Sequence, residues 1–210
     1  DQQKLAELKE DLTRARKTFE SGLLEDAIIE YEKLTDKYSE HAIVFYNLGL
    51  IYKVSKEYDL AVKNYQKSHI LNPFVEKYSI AITAIAQISA KEGDGEYRRQ
   101  EFDSAIDKYL KAISYHPKYI MAFFKLARTY YKLKDFDNAR LYLEKGLHID
   151  PKQEQSEKML GDIYRRMGEA SKALDHYKQA TLLNKNYYQA YYSLGALLLS
   201  EGDLNEAGNA

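Results

Sequence analysis

Cysteine is absent from the 210 residues, which excludes disulfides and thiolate chemistry and leaves the compartment open. Neither sign of charge dominates. The 31 basic and 32 acidic side chains leave a net charge of −1, without the basic excess of a general nucleic-acid binder, although a local basic patch stays compatible. No run approaches the roughly 18 apolar residues of a membrane span, so membrane insertion is not expected. Three prolines and ten glycines suit a mostly helical protein with short turns. With 45% apolar and 30% charged residues the chain reads as globular rather than disordered.

Recognisable reaction chemistry is also missing. No Gly-x-Ser-x-Gly, Walker loop or dinucleotide glycine pattern occurs. The five histidines, His41, His69, His116, His148 and His176, never pair at the three- or four-residue spacing that places two metal ligands on one helical face. His69, His116 and His148 instead fall near expected helix ends, where a cation favours the dipole. No catalytic residue, metal or cofactor is therefore expected, and the chain is read as a non-enzyme.

What is present is a beat. Ala27, Ala61, Ala105, Ala139, Ala173 and Ala207 are separated by 34, 44, 34, 34 and 34 residues, one period with a single insertion of ten. A fixed period of this size marks a helical repeat array. Four residues after each of the first five alanines stands Tyr31, Tyr65, Tyr109, Leu143 or Tyr177. Pro73, Pro117 and Pro151 follow three of them by twelve, and upstream a small residue recurs at Ala15, Gly49, Ala127, Gly161 and Gly195. Most of the twenty tyrosines keep this register, so packing explains them better than chemistry. Small residues belong where helix backbones approach, with aromatics filling the space beside them.

Phe45-Leu48-Gly49-Tyr52-Ala61-Tyr65-Pro73 and Phe123-Leu126-Ala127-Tyr130-Ala139-Leu143-Pro151 carry a resemblance to the tetratricopeptide repeat. The resemblance implies an all-α, right-handed solenoid of antiparallel helix pairs, A inside and B outside, with eleven or so helices. Repeats fall at about 8–41, 42–75, 76–119, 120–153 and 154–187, with a partial sixth at 188–210, in one array over 1–210. Acids open the B helices at Tyr58-Asp59, Phe102-Asp103 and Phe136-Asp137, suiting the positive end of the dipole.

The third repeat holds the insertion. Counting back from Ala105 puts the usual small residue at Gly93, within Gly93-Asp94-Gly95. Either helix A is longer by ten residues, or it ends near Ala90 and a loop follows; the glycines cost about 2 kcal/mol of helix propensity. The first segment is amphipathic, with Leu5, Leu8, Leu12, Ala15 and Phe19 on one face, unlike a secretory signal. The chain begins at Asp1 and stops soon after Ala207, and is expected to be a piece of a longer protein. A cytoplasmic location is the expectation, with a periplasmic one open, and the sequence style suggests a bacterial source.

The resemblance also implies that helix A lines a concave groove for a partner peptide. Repeat register then puts Tyr46, Asn47, Leu50 and Lys53 there from the second repeat, and Phe124, Arg128, Tyr131 and Lys132 from the fourth. Lys158 and Arg165 come from the fifth, and Tyr192 from the sixth. Phe124 and Tyr131 should point away from contacts within their repeat. Rings and cations together suit a protein or peptide with apolar anchors and acidic residues. The two-carboxylate clamp of chaperone-tail binders is not present as a set. Asn47 matches its middle element, but Leu12 and Arg16 hold the first-repeat places and the third repeat is distorted.

A protein-interaction scaffold is the leading expectation, and a regulatory or substrate-recruiting arm of a larger enzyme is the alternative. The last A helix, Tyr187 to Leu199, is strongly apolar. Its Leu and Tyr face is expected to be exposed and to drive end-to-end self-association.

Overall fold

The computed structural model describes residues 2–202. Among them it forms eleven α-helices: α1 (Gln2–Glu20), α2 (Leu24–Lys37), α3 (Ala42–Val54), α4 (Tyr58–Leu71), α5 (Glu76–Arg98), α6 (Phe102–Tyr115), α7 (Ile120–Lys132), α8 (Phe136–Ile149), α9 (Glu154–Arg166), α10 (Ala170–Leu183) and α11 (Tyr188–Ser200). Odd-numbered helices occupy the A places and even-numbered ones the B places. Two compact units divide the chain, Asp1–Ile88 and Ser89–Ala210, and the division falls inside α5.

The register alanines explain the close approach of paired helices. Ala27, Ala61, Ala105, Ala139 and Ala173 all have no exposed surface, since a larger side chain would hold the helices apart. Ala207 lies outside the described residues. Where the upstream small residue is Gly49 or Gly161, it receives a tyrosine ring of the next helix. A Cβ on Gly49 would lie 2.7 Å from the Tyr65 ring, and one on Gly161 would lie 2.5 Å from the Tyr177 ring. Such separations are well inside van der Waals contact, so glycine is required at these places.

The insertion extends a helix. α5 runs unbroken for 23 residues through Gly93-Asp94-Gly95, so the loop alternative does not hold. The reason is tertiary. Gly93 seats the Tyr109 ring, where a Cβ would come within 2.7 Å, just as Gly49 seats Tyr65. Asp94 accepts a hydrogen bond from the Tyr109 hydroxyl at 2.9 Å and pairs with Lys125. Packing and these polar contacts outweigh the low propensity of the glycines.

The residues that close the A helices repeat one backbone device. Gly22, Lys56, Gln100, Lys134, Gly168 and Gly202 all have positive φ, between 63° and 83°. They stand five residues before the successive alanines. Around Lys56 the amide of Glu57 donates to the Tyr52 carbonyl and that of Lys56 to the Lys53 carbonyl. The same two bonds recur at Gln100, Lys134 and Gly168, closing the last carbonyls of α5, α7 and α9. Asp59, Asp103 and Asp137 lie in the first turns of α4, α6 and α8, and His69 and His148 in the last turns of α4 and α8.

The apolar face of α11 differs from expectation. Leu194, Leu197 and Leu198 are buried in a cluster with Leu143, Leu160, Ile163 and Tyr177, because α11 packs on α10 and completes the core of α7 to α10. Tyr188, Tyr192 and Leu199 are the exposed large side chains of that helix. The sixth B helix lies outside the described residues.

Candidate cleft surfaces

Odd-numbered helices line two clefts, one within each unit. In the first unit, α1 and α3 with Tyr31 of α2 enclose about 560 Å³, bordered by Leu12, Arg16, Phe19, Ile43, Asn47 and Leu50. The Arg16 guanidinium is held by Glu20 at 2.7 Å. Asn47 and Leu50 are thus placed in a cleft, and Leu12, Arg16 and Phe19 of α1 are lining residues that the groove register did not assign. Leu12 and Phe19 belong to the apolar stripe of α1, which reads as core until they are seen to be half-buried, and the sequence marks Leu12 and Arg16 only as the places of an absent clamp.

Tyr46 and Lys53 are not among that lining. Tyr46 packs on the rings of Tyr65 and Tyr78 at 5.6 and 5.2 Å, with the Lys77 ammonium 4.7 Å above its centroid. Lys53 stands half-buried in the last turn of α3.

In the second unit, α7, α9 and α11 form a cleft of about 610 Å³ lined by Tyr131, Lys158, Asp162, Arg165, Tyr188, Gln189, Tyr192 and Ser193. Its floor is a fixed polar network. The Lys158 Nζ lies 2.7 Å from the Asp162 Oδ2, and the buried Tyr177 hydroxyl donates to Oδ1 at 2.8 Å. Burial, followed by the neighbouring Asp162 charge, raises the pKa of Tyr177 above the usual phenol range. Tyr188 and Tyr192, one turn apart on α11, are 76% and 80% exposed. Two aromatic rings this open, on a helix that otherwise packs into the core, contribute little to that packing.

The expected residues of α7 are shared out differently. Phe124 and Tyr131 pack against the core cluster, and Tyr131 meets Phe136 of its own repeat at 5.6 Å, so Tyr131 does not point away from contacts within its repeat. Helix α7 turns these positions toward α8 and α9, and only Tyr131 also reaches the cleft. The Arg128 guanidinium stacks 4.6 Å above the Tyr97 ring. Lys132 is exposed in the last turn of α7. Tyr188 was not assigned to the groove; only its place one turn before Tyr192 signals it.

Comparisons with known proteins follow the same helices. A family model described as TPR repeat matches residues 93–134 and 161–202, and models described as Tetratricopeptide repeat match 120–153 and 42–69. The chain is 30% identical over 108 residues to the Protein CTR9 homolog of Arabidopsis thaliana, covering 50% of this chain and 10% of that protein. It therefore spans about a tenth of that relative's length. The first TPR of Spaghetti (RPAP3), solved bound to the HSP90 peptide SRMEEVD, aligns with TM-score 0.54 and 19% identity over 56% of this chain and 93% of its own. PilF of Pseudomonas aeruginosa aligns with TM-score 0.52 and 17% identity over 96% of this chain and 87% of its own. A plant and a bacterium thus both appear, and the matches do not point to a bacterial source. No helix of the described residues is long and apolar enough to cross a membrane.

Proposed function

The chain belongs to the tetratricopeptide repeat family and is a protein-interaction scaffold, and from that premise we propose that it holds a peptide segment of a partner protein in the cleft of α7, α9 and α11. The observation that carries this reading is the pair of open rings, Tyr188 and Tyr192, standing in one cleft with the exposed Arg165. Exposed rings bury large area at little entropic cost, and arginine binds carboxylates through a planar fork. The partner segment accordingly carries apolar side chains and acid. The Spaghetti structure, solved bound to an HSP90 peptide, supports a peptide segment as the kind of ligand.

The test is fluorescence anisotropy of the whole chain against a labelled peptide rich in leucine, phenylalanine and glutamate. Tyr192→Ala combined with Arg165→Gln is expected to weaken binding about tenfold, the scale of a central interface residue. The thermal melt should stay near that of the parent, since both side chains are exposed. Affinity should fall with added salt, because exposed charges are screened over about 8 Å at physiological ionic strength. Equal affinity of the parent and the double variant would remove this cleft as the site.

A further inference from the structure

Not every cation in this cleft is available to a ligand. Lys158 is held by Asp162 one turn later on α9, with the two side chains only 23% and 16% exposed. Asp162 cannot swing aside to release it, because its other oxygen is held by the hydroxyl of the fully buried Tyr177. Arg165, three residues further along the same helix, is exposed and has no carboxylate partner among the described residues. The cleft therefore presents one uncompensated positive charge, a fixed neutral ion pair beside it, and the two open tyrosines.

We propose that Asp162 sets the acid content of the ligand: the cleft takes a segment with a single carboxylate between apolar side chains and disfavours a run of acids. The single carboxylate is met by Arg165. A second or third finds no free cation, since Asp162 already neutralises Lys158, and gives up its water without a partner. Asp162 is thus a specificity-determining residue of the cleft. This inference rests on the peptide reading given above and narrows its ligand class.

Three fluorescein-labelled nonapeptides of identical leucine and phenylalanine content test it, with none, one or three central glutamates. With the unaltered chain at low salt, the one-glutamate peptide is expected to bind most tightly. The three-glutamate peptide should be about two- to fivefold weaker, the range of exposed charge interactions. Asp162→Asn keeps an acceptor for Tyr177 but releases Lys158, so it should reverse that order and steepen the salt dependence of the three-glutamate peptide. The unaltered chain preferring three glutamates would overturn the proposal while leaving peptide binding intact. So would an unchanged order in a folded Asp162→Asn protein. Failure of all three peptides to bind would remove both readings. The order measured on the unaltered chain needs no variant, so the proposal can fail even if Asp162→Asn does not fold.

Discussion

The second and fifth repeats solve one packing problem in the same way and then part company. Tyr65 and Tyr177 each have no exposed surface, and each lies against a glycine of the preceding helix. The residue after that glycine differs. Asp162 follows Gly161 and accepts from the Tyr177 hydroxyl, whereas Leu50 follows Gly49 and the buried Tyr65 hydroxyl has no partner among the described residues. Tyr109 sides with Tyr177, because Asp94 follows Gly93. Among these three the shape of the ring is the common requirement, and the hydroxyl is bonded in the two whose glycine is followed by an acid. The same choice places Leu50 in the first cleft and Asp162 in the second.

The shared part of the comparison should break hardest. Gly161→Leu and Gly49→Leu both drive a side chain into an enclosed ring, and each is expected to destabilise by about 3 kcal/mol, at the upper end of overpacking effects. Denaturant midpoints would measure this, and a variant melting like its parent would show that the ring can move away. Next comes the part that differs. Tyr177→Phe removes a hydrogen bond to a carboxylate and should cost about 1.5 kcal/mol, while Tyr65→Phe removes only an unpaired buried hydroxyl and should be neutral or slightly stabilising. Equal losses at the two positions would mean that Tyr65 has a partner after all. A smaller effect than that at Tyr177 is expected in the turns. Lys134→Gly should stabilise by about 1 kcal/mol, because a side chain with positive φ is strained, and Gly168→Lys should cost a similar amount. Parallel urea titrations of the two would check the sign.

Much of this packing can be read from the chain, because steric requirements recur with the period. Ala27, Ala61, Ala105, Ala139 and Ala173 mark the fully enclosed places, and the tyrosines four residues later the enclosed rings. The left-handed turn position is harder to see. Glycine keeps the beat at 22, 168 and 202, but Lys56, Gln100 and Lys134 interrupt it, and only the backbone shows the six to be equivalent. Gly93-Asp94-Gly95 stays ambiguous for a related reason: local propensity argues for a break, while the contacts with Tyr109 and Lys125 that hold the helix together lie 15 and 31 residues away. Cleft residues are the least legible. Register places Arg128 and Phe124 on the right helix, but whether a side chain meets solvent or a neighbouring ring depends on partners such as Tyr97, which register does not reveal.

The six left-handed turns also bear on how the chain can change over time. A geometry kept at every turn, with glycine in three and lysine or glutamine in the others, is held by the fold rather than by any one residue. Each non-glycine there is a tolerated burden of about 1 kcal/mol, and marginal stability sets how many such burdens an array can carry before it fails. Within this one chain the same backbone geometry is carried by glycine at three turns and by costlier residues at the other three. Restoring glycine at all three would widen the margin within which the exposed cleft residues, Arg165, Tyr188 and Tyr192, could be exchanged for a new partner.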